Sequence, residues 1–94
     1  MRYSASVKDG NKKAGEICRL IKKCLHLKAS DVEHLVYRED GVVNVAIRVY
    51  SNITDRDCAF VHDAMRKAGL SDIETGKLPD EPEMTTFYSV LKKS

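Results

Sequence analysis

Three histidines and three cysteines are the side chains of this chain best suited to chemistry, and their spacing limits what they can do. His26, His34 and His62 lie far apart. Cys58 and His62 are four residues apart, which puts both on one face of a helix, and Cys24 precedes His26 by two. Neither pair completes the four-ligand set of a structural zinc, so no metal is expected. A nucleophile needs a converging base and an orienting group. The serines here lie without a linked His-Asp pair, and Asp55 and Asp57 beside Cys58 raise a thiol pKa rather than lower it. No catalytic residue and no cofactor is therefore expected. Gly10 and Gly15 are not followed by a Lys-Ser or Lys-Thr pair, which excludes a phosphate loop, and Lys12 and Lys13 read as a solvated basic turn. Cys18, Cys24 and Cys58 are odd in number and show no C-x-x-C, so free thiols packed as small hydrophobes in a reducing compartment are expected.

Charge narrows the classes further. The 94 residues carry 16 Lys and Arg against 14 Asp and Glu, a formal +2 that is too small to mark a nucleic-acid binder by composition. The distribution is uneven: residues 1–30 hold eight basic side chains against Asp9 and Glu16, a local +6, and the rest of the chain carries −4. The chain has no apolar run of membrane-spanning length, and Met1-Arg2-Tyr3-Ser4 lacks the apolar core of a signal peptide. A single cytoplasmic domain over residues 1–94, with no membrane contact, is expected.

The elements that must position these residues follow from periodicity. Tyr3 to Val7 alternates and meets Lys8-Asp9-Gly10-Asn11, which reads as a first strand and a turn. Ala14, Ile17, Cys18, Ile21, Cys24 and Leu25 then recur at three and four, predicting a helix from Lys12 to about Leu27, capped by Asp9 or Asn11. Val32 to Glu39 is rich in β-formers. Asp40-Gly41 is a type I′ hairpin signal that sets Glu39 against Val42 and puts Val43, Val45, Ile47 and Val49 on the core face with Val32, His34, Val36 and Arg38. Thr54 and Asp57 start a second helix with an apolar stripe of Cys58, Val61, Ala64, Met65 and Ala68, ended by Gly69. Residues 71–84, with Gly76, Pro79, Pro82 and many acids, read as one long loop before a last strand from Thr85 to Leu91.

The resulting order β-α-β-β-α-β predicts an α+β, ferredoxin-like fold: a four-stranded antiparallel sheet in the order 4-1-3-2 with two helices on one face. Lys13-Ala14-Gly15-Glu16-Ile17, Val36-Tyr37-Arg38-Glu39-Asp40-Gly41 and Arg66-Lys67-Ala68-Gly69-Leu70 resemble the first-helix entry, hairpin and second-helix end of ACT-type regulatory domains. That resemblance implies a small regulatory ligand, although four extra residues before Gly15 depart from the ligand-binding loop. The Arg-bearing phosphate loop of acylphosphatases is absent.

The open sheet face would present Leu35, Tyr37, Ala46 and Tyr50, a semi-apolar patch of the kind that marks interaction sites. Stacking of RNA bases on such a sheet needs several aromatics, and the strand Val42–Tyr50 offers one. A non-enzymatic protein-interaction module is therefore the leading expectation. Its format is similar to that of small phage or mobile-element inhibitors, anti-CRISPR proteins among them, although +2 does not suit the acidic DNA-mimic type. The alternatives are a nucleic-acid-binding accessory protein using Lys12, Arg19 and Lys23 on the first helix, and an ACT-like ligand-binding domain. A homodimer joined through the open face at Leu35, Tyr37 and Ala46 is expected, with edge pairing weaker because Glu33, Arg38 and Glu39 place charge along that strand.

Overall fold

The first described helix starts earlier than the periodicity suggests, because Ser6-Val7-Lys8-Asp9 is a capping box. Ser6 Oγ accepts from Asp9 N at 3.1 Å, and Asp9 Oδ2 accepts from Ser6 N at 3.3 Å. The computed structural model describes residues 6–91. Helix α1 runs Val7–Cys24, with Lys22 and Lys23 at the negative end of its dipole. Gly10 is part of this helix and buried, and its missing side chain lets the backbone settle on the sheet. A Cβ there would stand 2.7 Å from Val36 Cγ1 and 3.1 Å from Val43 Cγ1. The expected turn at Lys8–Asn11 is thus a point of close helix–sheet contact. Val7 of the expected first strand is helical, and residues 3–5 lie outside the described residues.

Strands β1 (Val32–Glu39) and β2 (Val42–Val49) form the hairpin read from Asp40-Gly41, whose φ angles of 54° and 76° are those a type I′ turn requires. The pairing runs from Glu39↔Val42 to Val32↔Val49, including Glu33↔Arg48, as the turn implied. Helix α2 (Asp55–Lys67) is capped by Thr54 and Asp57 and ends at Gly69, φ 94°. Lys13 Nζ donates to the Ala68 carbonyl at 2.7 Å, so a lysine of α1 closes the C-terminus of α2.

The segment read as a loop, residues 71–84, holds most of a third strand and the start of the fourth. Strand β3 spans Leu70–Leu78 and turns through Pro79-Asp80 into β4, Glu81–Leu91. Its alternation is hidden by two register shifts, between Ser71 and Glu74 and between Lys77 and Leu78, and Asp72 takes φ 54° at the first. Pro82 is tolerated because it lies in the second irregularity, before β4 meets β2 at Thr85↔Val49.

The fold is α+β, a four-stranded antiparallel sheet with two helices. Its described elements run α-β-β-α-β-β and its strands lie in the order β1-β2-β4-β3. This departs from the expected β-α-β-β-α-β arrangement: β4 occupies the central place assigned to an N-terminal strand, and β3 supplies the far edge. β1 is an edge strand, as expected. The core lies between the sheet and the helices, where Val43, Val45, Ile47, Val49 and Phe87 meet Ala14, Ile17, Ile21, Val61 and Met65, all buried. His34 lies on the helix side of β1, with Nδ1 3.8 Å from Cys18 Sγ, yet is exposed at the strand edge.

Candidate functional site

Pairing alternates side chains across a sheet, so the residues opposite the core form one continuous surface. Leu35 pairs with Ala46, Ala46 with Tyr88 and Tyr88 with Glu74, a single row crossing all four strands. Beside it run the rows Tyr37–Asn44–Val90 and Glu33–Arg48–Thr86. The expected patch residues Leu35, Tyr37, Ala46 and Tyr50 therefore come together on the uncovered face. Leu35 is 61% exposed and Tyr88 49%. Gly76 gives Tyr88 room to lie flat: a Cβ there would meet Tyr88 Cε2 at 3.1 Å.

A polar cluster fixes one end of this surface. Arg48 Nε donates to Thr86 Oγ1 at 3.3 Å and Nη1 to the Tyr50 hydroxyl oxygen at 3.5 Å, while the Tyr50 hydroxyl donates to Glu33 Oε1. Glu33 also lies 3.9 Å from Arg48 Nη1. The hydrogen bond to Tyr50, with Glu33 nearby, pushes the Arg48 pKa up. Between this cluster and Tyr37 the face sinks into a hollow of about 310 Å³ lined by Leu35, Ala46 and Tyr88. Tyr88 and Thr86 were not singled out as site residues from the sequence, since their place depends on β4 lying beside β2; Arg48 was read only as the cross-strand partner of Glu33.

The other predicted residues, Lys12, Arg19 and Lys23, sit elsewhere. All three are exposed on α1, in the layer behind the sheet, and none makes an ion pair among the described residues. Lys13, grouped with Lys12 as a solvated turn, is engaged with Ala68 instead. The five residues Lys13–Ile17 resembling an ACT helix entry lie inside α1 rather than at its start.

A second hollow, about 410 Å³, lies between α2 and β3 and holds Cys58, His62, Thr75 and Lys77. Its histidine is occupied. Nε2 of His62 is hydrogen-bonded to Thr75 Oγ1, and the ring stands edge-on to Phe87 at 5.7 Å. Burial pushes the Cys58 thiol pKa up, Asp55 and Asp57 add to this, and Lys77 opposes it. A protonated thiol beside a committed histidine is a poor nucleophile. Cys18 is buried, Cys58 half-buried and Cys24 exposed, so the expectation of three packed thiols fails at Cys24, where α1 ends. No group of three or more potential metal ligands occurs among the described residues, and no described helix is long and apolar enough to cross a membrane.

No protein-family model matches this chain, and no curated protein and no solved structure is significantly similar to it.

Proposed function

We propose that this chain is a protein-interaction module without catalysis of its own, and that a partner protein inserts an apolar side chain into the hollow on the open sheet face. The observation that supports this most is the row Leu35–Ala46–Tyr88, uncovered and flanked by Tyr37, Tyr50 and a pinned Arg48. Tyrosine and arginine around an apolar floor is the composition of energetic hot spots at protein interfaces. The hollow, about 310 Å³, has room for an inserted apolar side chain. Charge argues for a protein over a polyanion on this face, since Glu33 and Glu74 outnumber Arg48.

Affinity capture from host lysate with matched variants tests the reading. Wild-type protein and a Lys12→Glu/Arg19→Glu/Lys23→Glu variant retain the same stoichiometric partner, whereas Tyr88→Glu, still folded by circular dichroism, loses it. Retention by Tyr88→Glu, or no stoichiometric partner for the wild type, contradicts the proposal.

A second reading is favoured by one observation, the exposed basic residues Lys12, Arg19 and Lys23 on α1, which make no ion pair among the described residues. Their ligand would be a polyanion such as RNA or DNA, bound without sequence preference and released by salt. Loss of salt-dependent retention in the triple Glu variant, with retention unchanged in Tyr88→Glu, would support it over the first.

A further inference from the structure

We infer that the outer face of α1 binds B-form duplex DNA, lying across the major groove with one pair of cations on the phosphates of each rim. The inference rests on the second reading above, a polyanion held by α1, and is independent of partner docking on the sheet face.

The cationic stripe is a consequence of spacing. At 3.6 residues per turn, Lys8, Lys12, Arg19 and Lys23 fall within about 60° of one another around the helix axis. Gly10, Ala14, Ile17, Cys18 and Ile21 are buried on the opposite side, so packing on the sheet turns the four cations outward. All four are exposed. None makes an ion pair among the described residues, and Glu16, at the margin of the stripe, pairs with none of them. The second helix differs: its Arg66 and Lys67 both reach Asp63, at 3.8 and 3.0 Å, and are neutralised within their own helix.

Acidic residues are concentrated elsewhere. Helix α1 packs on β1 and β2, whereas α2 packs on β3. Glu74, Asp80, Glu81 and Glu83 all belong to the β3–β4 hairpin. An anionic ligand therefore meets the cations of α1 over the half of the sheet away from β3.

Length and shape select the ligand. At 1.5 Å per residue the stripe extends about 22 Å from Lys8 to Lys23, so a free phosphate or a mononucleotide can meet only one end. A single strand needs aromatic side chains for its bases to stack on, and α1 contains no aromatic residue. A duplex needs none, because it presents about one negative charge per 1.7 Å in a rigid array. The cations form two pairs, Lys8 with Lys12 and Arg19 with Lys23, each about 6 Å apart along the axis, with a gap of about 10 Å from Lys12 to Arg19. That gap is close to the ~12 Å opening of the B-form major groove, which lets each pair reach the phosphates of one rim. The major groove of A-form RNA is narrow and does not match it. Gly15 and Glu16, on the outer side between the pairs, offer no side-chain donor to base edges, so binding carries no sequence preference.

The test is the salt dependence of binding by the full chain to a labelled DNA duplex of about 20 base pairs, beside its single strand and the RNA duplex of the same sequence. For the DNA duplex, log Kd against log salt should have a slope of magnitude about 3–4, as four phosphate contacts require, which is a roughly 100-fold loss of affinity from about 50 to 200 mM. Lys8→Gln/Lys12→Gln and Arg19→Gln/Lys23→Gln, each native by circular dichroism, should each lower that slope by about two, and Tyr88→Glu should leave it unchanged. The single strand and the RNA duplex should bind about tenfold more weakly or worse. A slope that falls for one pair and not for the other removes the bridge across the groove and overturns the inference. Equal affinity for the single strand or the RNA duplex also overturns it, while salt-dependent binding lost in the Gln variants would still uphold α1 as a polyanion site. Absence of salt-dependent binding to all three overturns both.

Discussion

The β1–β2 hairpin holds eight pairs in one register around a two-residue turn, whereas β3–β4 shifts register twice and enters its second strand through Pro79-Asp80 and Pro82. Both pairs of strands contribute to one core, since Ile47 of β2 and Phe87 of β4 are paired neighbours and fully buried. The difference lies in what fixes the pairing. In the first hairpin, alternation and turn chemistry both specify the same register locally. In the second, bulges spoil the alternation, and β4 is placed by packing Phe87, Ser89 and Leu91 against the helices and beside β2. Local specification gives a regular edge strand at β1; placement by packing gives an irregular one at β3.

The largest effect is expected where the two hairpins share the core. Phe87→Ala should cost about 3–5 kcal/mol in urea denaturation. If the hairpins were separately stable units, probes in β1–β2 would keep their midpoint; one coincident transition is expected instead.

An alkaline titration probes the first half next. Burial pushes the Cys18 thiol from its ordinary 9 up to about 11, with Lys22 and Arg19 opposing. The folded state therefore holds a proton that the unfolded chain loses first. The associated stability is fully present below pH 9 and is lost as pH rises through about 11, a change of roughly 2–3 kcal/mol. Stability of the wild type should fall over this window more steeply than that of Cys18→Ala, and parallel pH curves for the two would remove the burial argument.

Gly10 sharpens the contrast between a glycine that makes a turn and one that lets a helix approach. Gly10→Ala should destabilise by about 1–3 kcal/mol, because its Cβ collides with Val36. Gly15→Ala, also in α1 but with only the Arg19 guanidinium near, should stabilise by roughly 0.5–1 kcal/mol. Equal effects at the two positions in thermal melts would contradict the close contact.

The smallest expected effect lies in the second hairpin. Thr85 is fully buried and its hydroxyl has no hydrogen-bond partner among the described residues. Thr85→Val keeps the shape and removes the orphaned polar atom, so a gain of about 1 kcal/mol is expected in denaturant unfolding.

These cases also explain what was legible in the sequence. The β1–β2 register, the Thr54 cap and the Gly69 stop were readable because each is a local rule obeyed locally. Ser6-x-x-Asp9 is an equally local signal, masked by the apparent alternation of Tyr3–Val7 and by Gly10, which looks like a turn residue and acts as a contact. Strand β3 was hidden because Ser71, Asp72 and the Lys77/Leu78 shift put Leu70 and Ile73 out of a two-residue period. Of the candidate surface, Leu35, Tyr37, Ala46 and Tyr50 followed from the hairpin alone. Tyr88 did not, because its neighbours depend on which strand β4 chooses, a long-range choice decided by packing.

The β1–β2 register is tested most directly by residue-resolved amide hydrogen exchange. The β2-facing amides of Glu33, Leu35, Tyr37 and Glu39 should be protected, whereas those of His34 and Val36, which turn away from β2, should exchange faster. Equal protection of the two sets would contradict the register that places Leu35, Ala46 and Tyr88 in one row.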